Sequence, residues 1–168
     1  MPGTVHVSTN NHVGQIVFDY PERRNAITAE MWDAIPRAAA ELAADPEVRV
    51  VVMRGAGETA FVAGADISEF ESSRTGAAAH EYDERNTRAF SALADLEKPL
   101  IALIHGFCVG GGCAIALTAD LRFAAEDAVF AIPAVLAIPA VLAISAVLAI
   151  SARPFLSIFI HFYPFLIN

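Results

Sequence analysis

Two short glycine segments constrain this chain of 168 residues more than any other feature. In the first, Phe61-Val62-Ala63-Gly64-Ala65-Asp66-Ile67, an apolar run ends in small residues, and Asp66 stands where the N-cap of a following helix belongs. In the second, the run Leu100–Ile104 predicts a strand that breaks at Gly106, and Gly110-Gly111-Gly112 opens into the helix-like Cys113–Leu117. Each segment is expected to form a strand-to-helix turn whose first backbone N–H groups have no partner within the helix. Such groups can hold an oxygen that gains negative charge.

The stretches between these turns set the rhythm of the fold. Val5–Ser8 and Gly14–Asp19 predict two strands joined by a tight turn around Asn10-Asn11. Thr28 is the expected N-cap of a helix from Ala29 to about Ala44, with Met31, Ile35, Ala38 and Leu42 on one face. Pro36 lies inside that helix and is expected to kink or break it, because it removes a backbone donor. The β-branched run Val48–Met53 predicts a strand buried on both faces, and a helix is expected between Ala77 and Leu96. Strand and helix alternate, which places the chain in the α/β class.

Composition narrows the function. A net charge of −8 argues against a nucleic-acid surface, which needs concentrated Lys and Arg. Cys108 and Cys113 flank the second glycine turn without the companion ligands of a zinc site. They read as small buried thiols in a reducing compartment, and no metal is expected. The segment Met1–His12 lacks a charged start followed by an apolar stretch, so no secretory signal is read there and a cytoplasmic location is expected.

From Ala131 the character changes. A six-residue unit, Ala-Ile-Pro-Ala-Val-Leu, recurs with Ser replacing Pro in the later copies, and no charged residue occurs between Asp127 and Arg153. The chain is therefore divided into a core, residues 1–130, and an apolar repeat and aromatic tail, residues 131–168. Three readings of the tail remain open: a replaced C-terminal part, an extra element packed on the core, or a membrane anchor. The anchor is disfavoured, because Pro133 and Pro139 interrupt any helix and nothing upstream prepares for insertion.

From about Val13 to Pro133 the chain resembles the crotonase superfamily, the enoyl-CoA hydratases and isomerases. The resemblance rests on Asn25-Ala26-Ile27, on Ala63-Gly64-Ala65-Asp66-Ile67, and on the Gly110-Gly111-Gly112-Cys113 turn followed by Ala119-Asp120-Leu121-Arg122. It implies a spiral of ββα turns, an acyl-CoA thioester substrate, no separate cofactor, and a homotrimer or hexamer. By position it implies that Ala65 and Gly111 supply two backbone N–H groups to the thioester oxygen, each worth about 3–4 kcal/mol to the transition state. It places Ala63, Asp66, Ile67 and Gly112 along the substrate, and Arg24, with Arg23, near the CoA phosphates.

Two departures limit the transfer. Where the family's hydratases carry two glutamates for water activation and proton transfer, this chain has Ala114 and Ala134. General acid–base groups are each worth about 10²–10⁴ in rate, so hydration is not named from these positions. The second departure is length: relatives continue with helices that cover the acyl pocket, so the core is expected to be incomplete. Candidate replacement acids and bases are Glu69, His80, Glu81, Tyr82 and Glu84, and His80 is the first to test. His105 reads as a packed strand-end residue. Asp120 is expected to fix the turn into its strand and Arg122 to pair with it. The alternative function is a non-catalytic acyl-CoA binder. A serine peptidase is disfavoured, since no serine lies in or just after the glycine turn, and the glycines do not match a dinucleotide fingerprint.

Overall fold

The computed structural model describes residues 2–66, 68 and 77–132. The chain opens with a hairpin of β1 (Thr4–Asn10) and β2 (Val13–Asp19). Its two turn residues are Asn11 and His12, both left-handed, with φ of 47° and 66°. The turn therefore sits one residue later than expected. Two consecutive positive φ values match the right-handed twist of the strands they join.

Helix α1 (Ala29–Ala44) starts where expected, with the Thr28 hydroxyl accepting from the Met31 N–H at 3.3 Å. Pro36 does not break it, and the helix runs on for two further turns. One backbone bond is lost there, but the buried face of Met31, Trp32, Ile35, Ala38, Ala39 and Leu42 holds the helix on the sheet. Lys98 closes its C-terminus by donating to the carbonyls of Leu42 and Asp45 at 2.6 and 2.5 Å.

The remaining elements are β3 (Val50–Gly55), β4 (Ala60–Val62), α2 (Ala77–Ala94), β5 (Leu100–Ile104), β6 (Phe107–Val109), α3 (Gly111–Thr118), β7 (Leu121–Ala124) and β8 (Val129–Ala131). They form a five-stranded sheet in the order β1-β2-β3-β5-β7 and a three-stranded sheet in the order β4-β6-β8. Among the described residues, the strand pairings beyond the first hairpin are parallel. Each turn of chain gives one strand to each sheet, β3 with β4, β5 with β6 and β7 with β8, which is the expected ββα spiral. Helices α2 and α3 return the chain between turns.

In β3, Val51 and Met53 are fully buried while Val50 and Val52 are only half-buried, so the strand is less enclosed than its β-branched run implied. The core gathers Ile16, Phe18, Met31, Trp32, Phe61 and Leu100, with Phe18 edge-on to Phe61 at 5.7 Å between ring centres. No helix among the described residues is long and apolar enough to cross a membrane. The first residue of the repeat tail, Ala131, closes β8, while residues 133–168, Ala134 among them, lie outside the described residues.

Candidate functional site

The first glycine segment is held by the turn that follows β2. Asn25, left-handed at φ 56° and 1 % exposed, accepts from the Tyr20 N–H at 2.9 Å and donates to the carbonyls of Ala56 and Ala60 at 2.9 and 2.8 Å. Three bonds from one buried amide lock the turn to the start of β4. Downstream, the Ala63 N–H donates to the Arg24 carbonyl, the Ile27 N–H to the Gly64 carbonyl, and the Asp66 N–H to the Ile27 carbonyl. These bonds make a parallel bridge between Ile27 and Ala65. In such a bridge the residues on either side of Ala65 carry the bonds, so the N–H of Ala65 itself points away from Ile27.

The second segment brings α3 to the same place. Its first intrahelical bond runs from the Ala114 N–H to the Gly110 carbonyl, leaving the N–H groups of Gly111, Gly112 and Cys113 without an acceptor in the helix. No acceptor is recorded among the described residues for the N–H of Ala65 or of Gly111. The two positions are neighbours: a Cβ built on Gly111 would stand 3.9 Å from the Ala65 nitrogen and 3.4 Å from Cζ2 of Trp32.

The three glycines of this turn serve three different needs. Gly110 has φ 52°, which side-chain-bearing residues rarely adopt, and its N–H donates to the Ala131 carbonyl at 2.9 Å. Gly112 packs on β4, where a Cβ would come within 2.1 Å of the Val62 carbonyl oxygen. Its lack of a side chain therefore serves helix-to-strand packing. Gly111 alone of the three is forced neither by a positive φ nor by close packing, and it lies beside the Ala65 nitrogen.

The other anticipated residues fall as follows. Asp66 is buried, and its Oδ1 accepts from the N–H and the hydroxyl of Ser68 at 2.9 and 2.7 Å, so this oxygen stabilises the turn. Arg24 is exposed and left-handed, with its guanidinium 4.6 Å from the centre of the Phe107 ring. Ile67 and Glu69 lie outside the described residues. On α2, His80 pairs with Glu84 at 3.4 Å and Glu81 with Arg85 at 2.8 Å, on the exposed side of the helix. Tyr82 is half-buried against the core. Asp120 does fix its turn, accepting from the Leu100 N–H at 2.7 Å. Arg122 does not pair with it. Its guanidinium donates instead to the last carbonyls of α3, at Leu117 and Ala119, where cations suit the negative end of a helix.

Cys108 and Cys113 are both buried free thiols, 3.9 Å apart at sulfur. The hydrogen bond to Cys113 and burial push the Cys108 thiol up, while the same bond pulls Cys113 down against its own burial. Trp32 was not among the residues singled out from the sequence. Its position beside Gly111 had no signal in the spacing, because the contact joins residues far apart in sequence.

The enoyl-CoA hydratase/isomerase family profile matches residues 8–141 of this chain. The chain belongs to the enoyl-CoA hydratase/isomerase family. Among its relatives is a short-chain-enoyl-CoA hydratase of Clostridium acetobutylicum, 37 % identical over 121 residues, covering 72 % of this chain and 46 % of that protein. A solved structure of an enoyl-CoA hydratase/isomerase family protein from Hyphomonas neptunium matches with a TM-score of 0.74 and 42 % identity, over 82 % of this chain and 51 % of that one. An enoyl-CoA hydratase/carnithine racemase from Magnetospirillum magneticum matches with a TM-score of 0.79 and 33 % identity, over 85 % and 56 %. The chain thus spans about half the length of these family members.

Proposed function

We propose that this enoyl-CoA hydratase/isomerase family chain binds an acyl-CoA and stabilises its thioester enolate or oxyanion with the N–H groups of Ala65 and Gly111. The observation that carries this reading is the proximity of the two donors. Among the described residues neither N–H has a backbone acceptor, and a methyl on Gly111 would stand 3.9 Å from the Ala65 nitrogen. Donors fixed by a β-bridge on one side and a helix start on the other stabilise charge without having to reorient. Helix α3 directs its positive end at the same point. Ala63, Asp66, Ile67 and Gly112 flank the bound thioester in this reading, and Arg24, braced on Phe107, meets the CoA phosphates.

Isothermal titration with butyryl-CoA tests the proposal. Saturable binding is expected, and no heat at millimolar ligand would overturn it.

A second reading, a binder without turnover, is favoured by one observation. Ala114 on α3 carries no titratable group, and on the exposed side of α2 His80 contacts Glu84 and Glu81 pairs with Arg85. Incubation with crotonyl-CoA distinguishes the two. Hydration or isomerisation that falls in His80→Ala supports the enzyme, and binding without product supports the binder.

A further inference from the structure

Cys108 and Cys113 are the only cysteines in the chain, and they bracket the glycine turn Gly110-Gly111-Gly112. Their sulfur atoms lie 3.9 Å apart, and both residues are buried. The two are held differently. Cys108 sits inside β6, paired with Val62 of β4 and Phe130 of β8, so its backbone is fixed from both sides. Cys113 belongs to the first turn of α3, where the N–H groups of Gly111, Gly112 and Cys113 have no acceptor in the helix. The Cys113 sulfur stands 3.7 Å from the Ala131 carbonyl on β8, an edge strand whose three residues are all exposed. The pair therefore lies one strand in from solvent. The bond from Cys108 pulls the Cys113 thiol down, which favours the thiolate that reacts with oxidants, and the start of a helix acts in the same direction.

We propose that Cys108 and Cys113 form a redox-sensitive pair, closed to a disulfide by hydrogen peroxide, and that closure weakens acyl-CoA binding at Ala65 and Gly111. The peroxide is the two-electron oxidant. The Cys113 thiolate attacks one peroxide oxygen, the O–O bond breaks, and the departing hydroxide takes up the proton that Cys113 released, giving water and a sulfenic acid. The Cys108 sulfur then attacks the Cys113 sulfur, the S–O bond breaks, and the hydroxide leaves as water with the Cys108 proton. Two thiols become one disulfide, and one peroxide becomes two waters. Closure brings the sulfurs from 3.9 Å to about 2.05 Å. With Cys108 fixed in its ladder, the first turn of α3 is the side that yields. Gly111 lies in that turn, and a Cβ on it would stand 3.9 Å from the Ala65 nitrogen, so a shift of the turn changes the spacing of the two donors. The effect on binding rests on the thioester reading above, whereas the closure of the pair does not. In a reducing compartment such a disulfide is transient, which suits a reversible response.

The test treats the full chain with hydrogen peroxide, denatures it in iodoacetamide and counts alkylated thiols by intact mass. Both thiols are expected to react in the untreated protein and neither after peroxide, with a monomer on a non-reducing gel and both thiols restored by dithiothreitol. Calorimetry is expected to show about ten-fold weaker binding of butyryl-CoA to the oxidised protein, the value of one lost hydrogen bond, and full recovery after dithiothreitol. Cys113→Ala, which lacks the reactive thiol, is expected to keep its affinity through the same treatment. Should Cys113→Ala not fold, recovery of the unmodified protein in dithiothreitol decides alone. Thiols still open to alkylation after peroxide, oxygen added to sulfur without a disulfide, a disulfide only between chains, or a closed pair with unchanged affinity overturns the inference and leaves the thioester reading standing. No binding by the reduced protein overturns the thioester reading and the effect on binding with it, while the thiol count still decides whether the pair closes.

Discussion

Gly112 and Val62 approach so closely that a Cβ on Gly112 would stand 2.1 Å from the Val62 carbonyl oxygen, whereas a Cβ on Gly111 would meet only ordinary contacts. Two adjacent glycines thus answer to different demands. Gly112→Ala is expected to destabilise the protein by about 1–3 kcal/mol through overpacking. Gly111→Ala is expected to leave the urea midpoint unchanged or slightly raised, since alanine is the better helix former, yet to abolish butyryl-CoA binding. Urea unfolding and calorimetry on both variants check the pair, and loss of binding with an intact fold in Gly111→Ala is the decisive outcome.

Asn25 makes its three bonds from a fully buried position. Asn25→Ala leaves the Ala56 and Ala60 carbonyls without this donor and also strains a left-handed backbone, so a loss of about 3 kcal/mol is expected. Asn25→Gly relieves the strain but not the lost bonds. It should fall between wild type and Asn25→Ala in chemical denaturation.

The raised Cys108 thiol carries a signed pH dependence. A group whose folded value lies above the ordinary thiol value of 9.0 contributes stability that is present below that pH and lost as pH rises above it. Cys113, lowered, acts in the opposite sense below that value. The urea midpoint of the wild type is expected to fall between about pH 9 and pH 10.5 more steeply than that of Cys108→Ala. Parallel curves would show that the buried pair does not control this limb.

Arg24 rests over Phe107 and is exposed, so its charge is free to reach a phosphate. Arg24→Ala is expected to weaken butyryl-CoA binding about five- to ten-fold while leaving butyryl-pantetheine, which lacks the phosphates, unaffected. Equal losses for both ligands would place Arg24 at the acyl end.

Local chemistry made much of this architecture readable. The Thr28 cap, the buried face of α1, the strand Leu100–Ile104 and the helix opening at the triple glycine each depend on residues within a few positions of one another. The hairpin turn slipped by one residue because Asn10, Asn11 and His12 are all suited to turns, and only the pairing of Thr4 with Asp19 and its successors sets the register. Pro36 does not break α1: its local cost is real, but the packing of Ile35, Ala38 and Leu42 outweighs it and the helix continues.

The sequence by itself determined the class of fold, the family and the two segments where backbone donors would be free, since glycine freedom, capping and strand patterning act over short range. Only the tertiary structure decided that Gly111 lies beside the Ala65 nitrogen. It also decided that Gly112 is small for the sake of Val62, that Arg122 closes a helix instead of pairing with Asp120, and that the Trp32 ring lies beside Gly111. The physical reason is that each of these relationships is a contact made by chain closure. Parallel strand pairing and helix docking bring together residues that no local propensity connects.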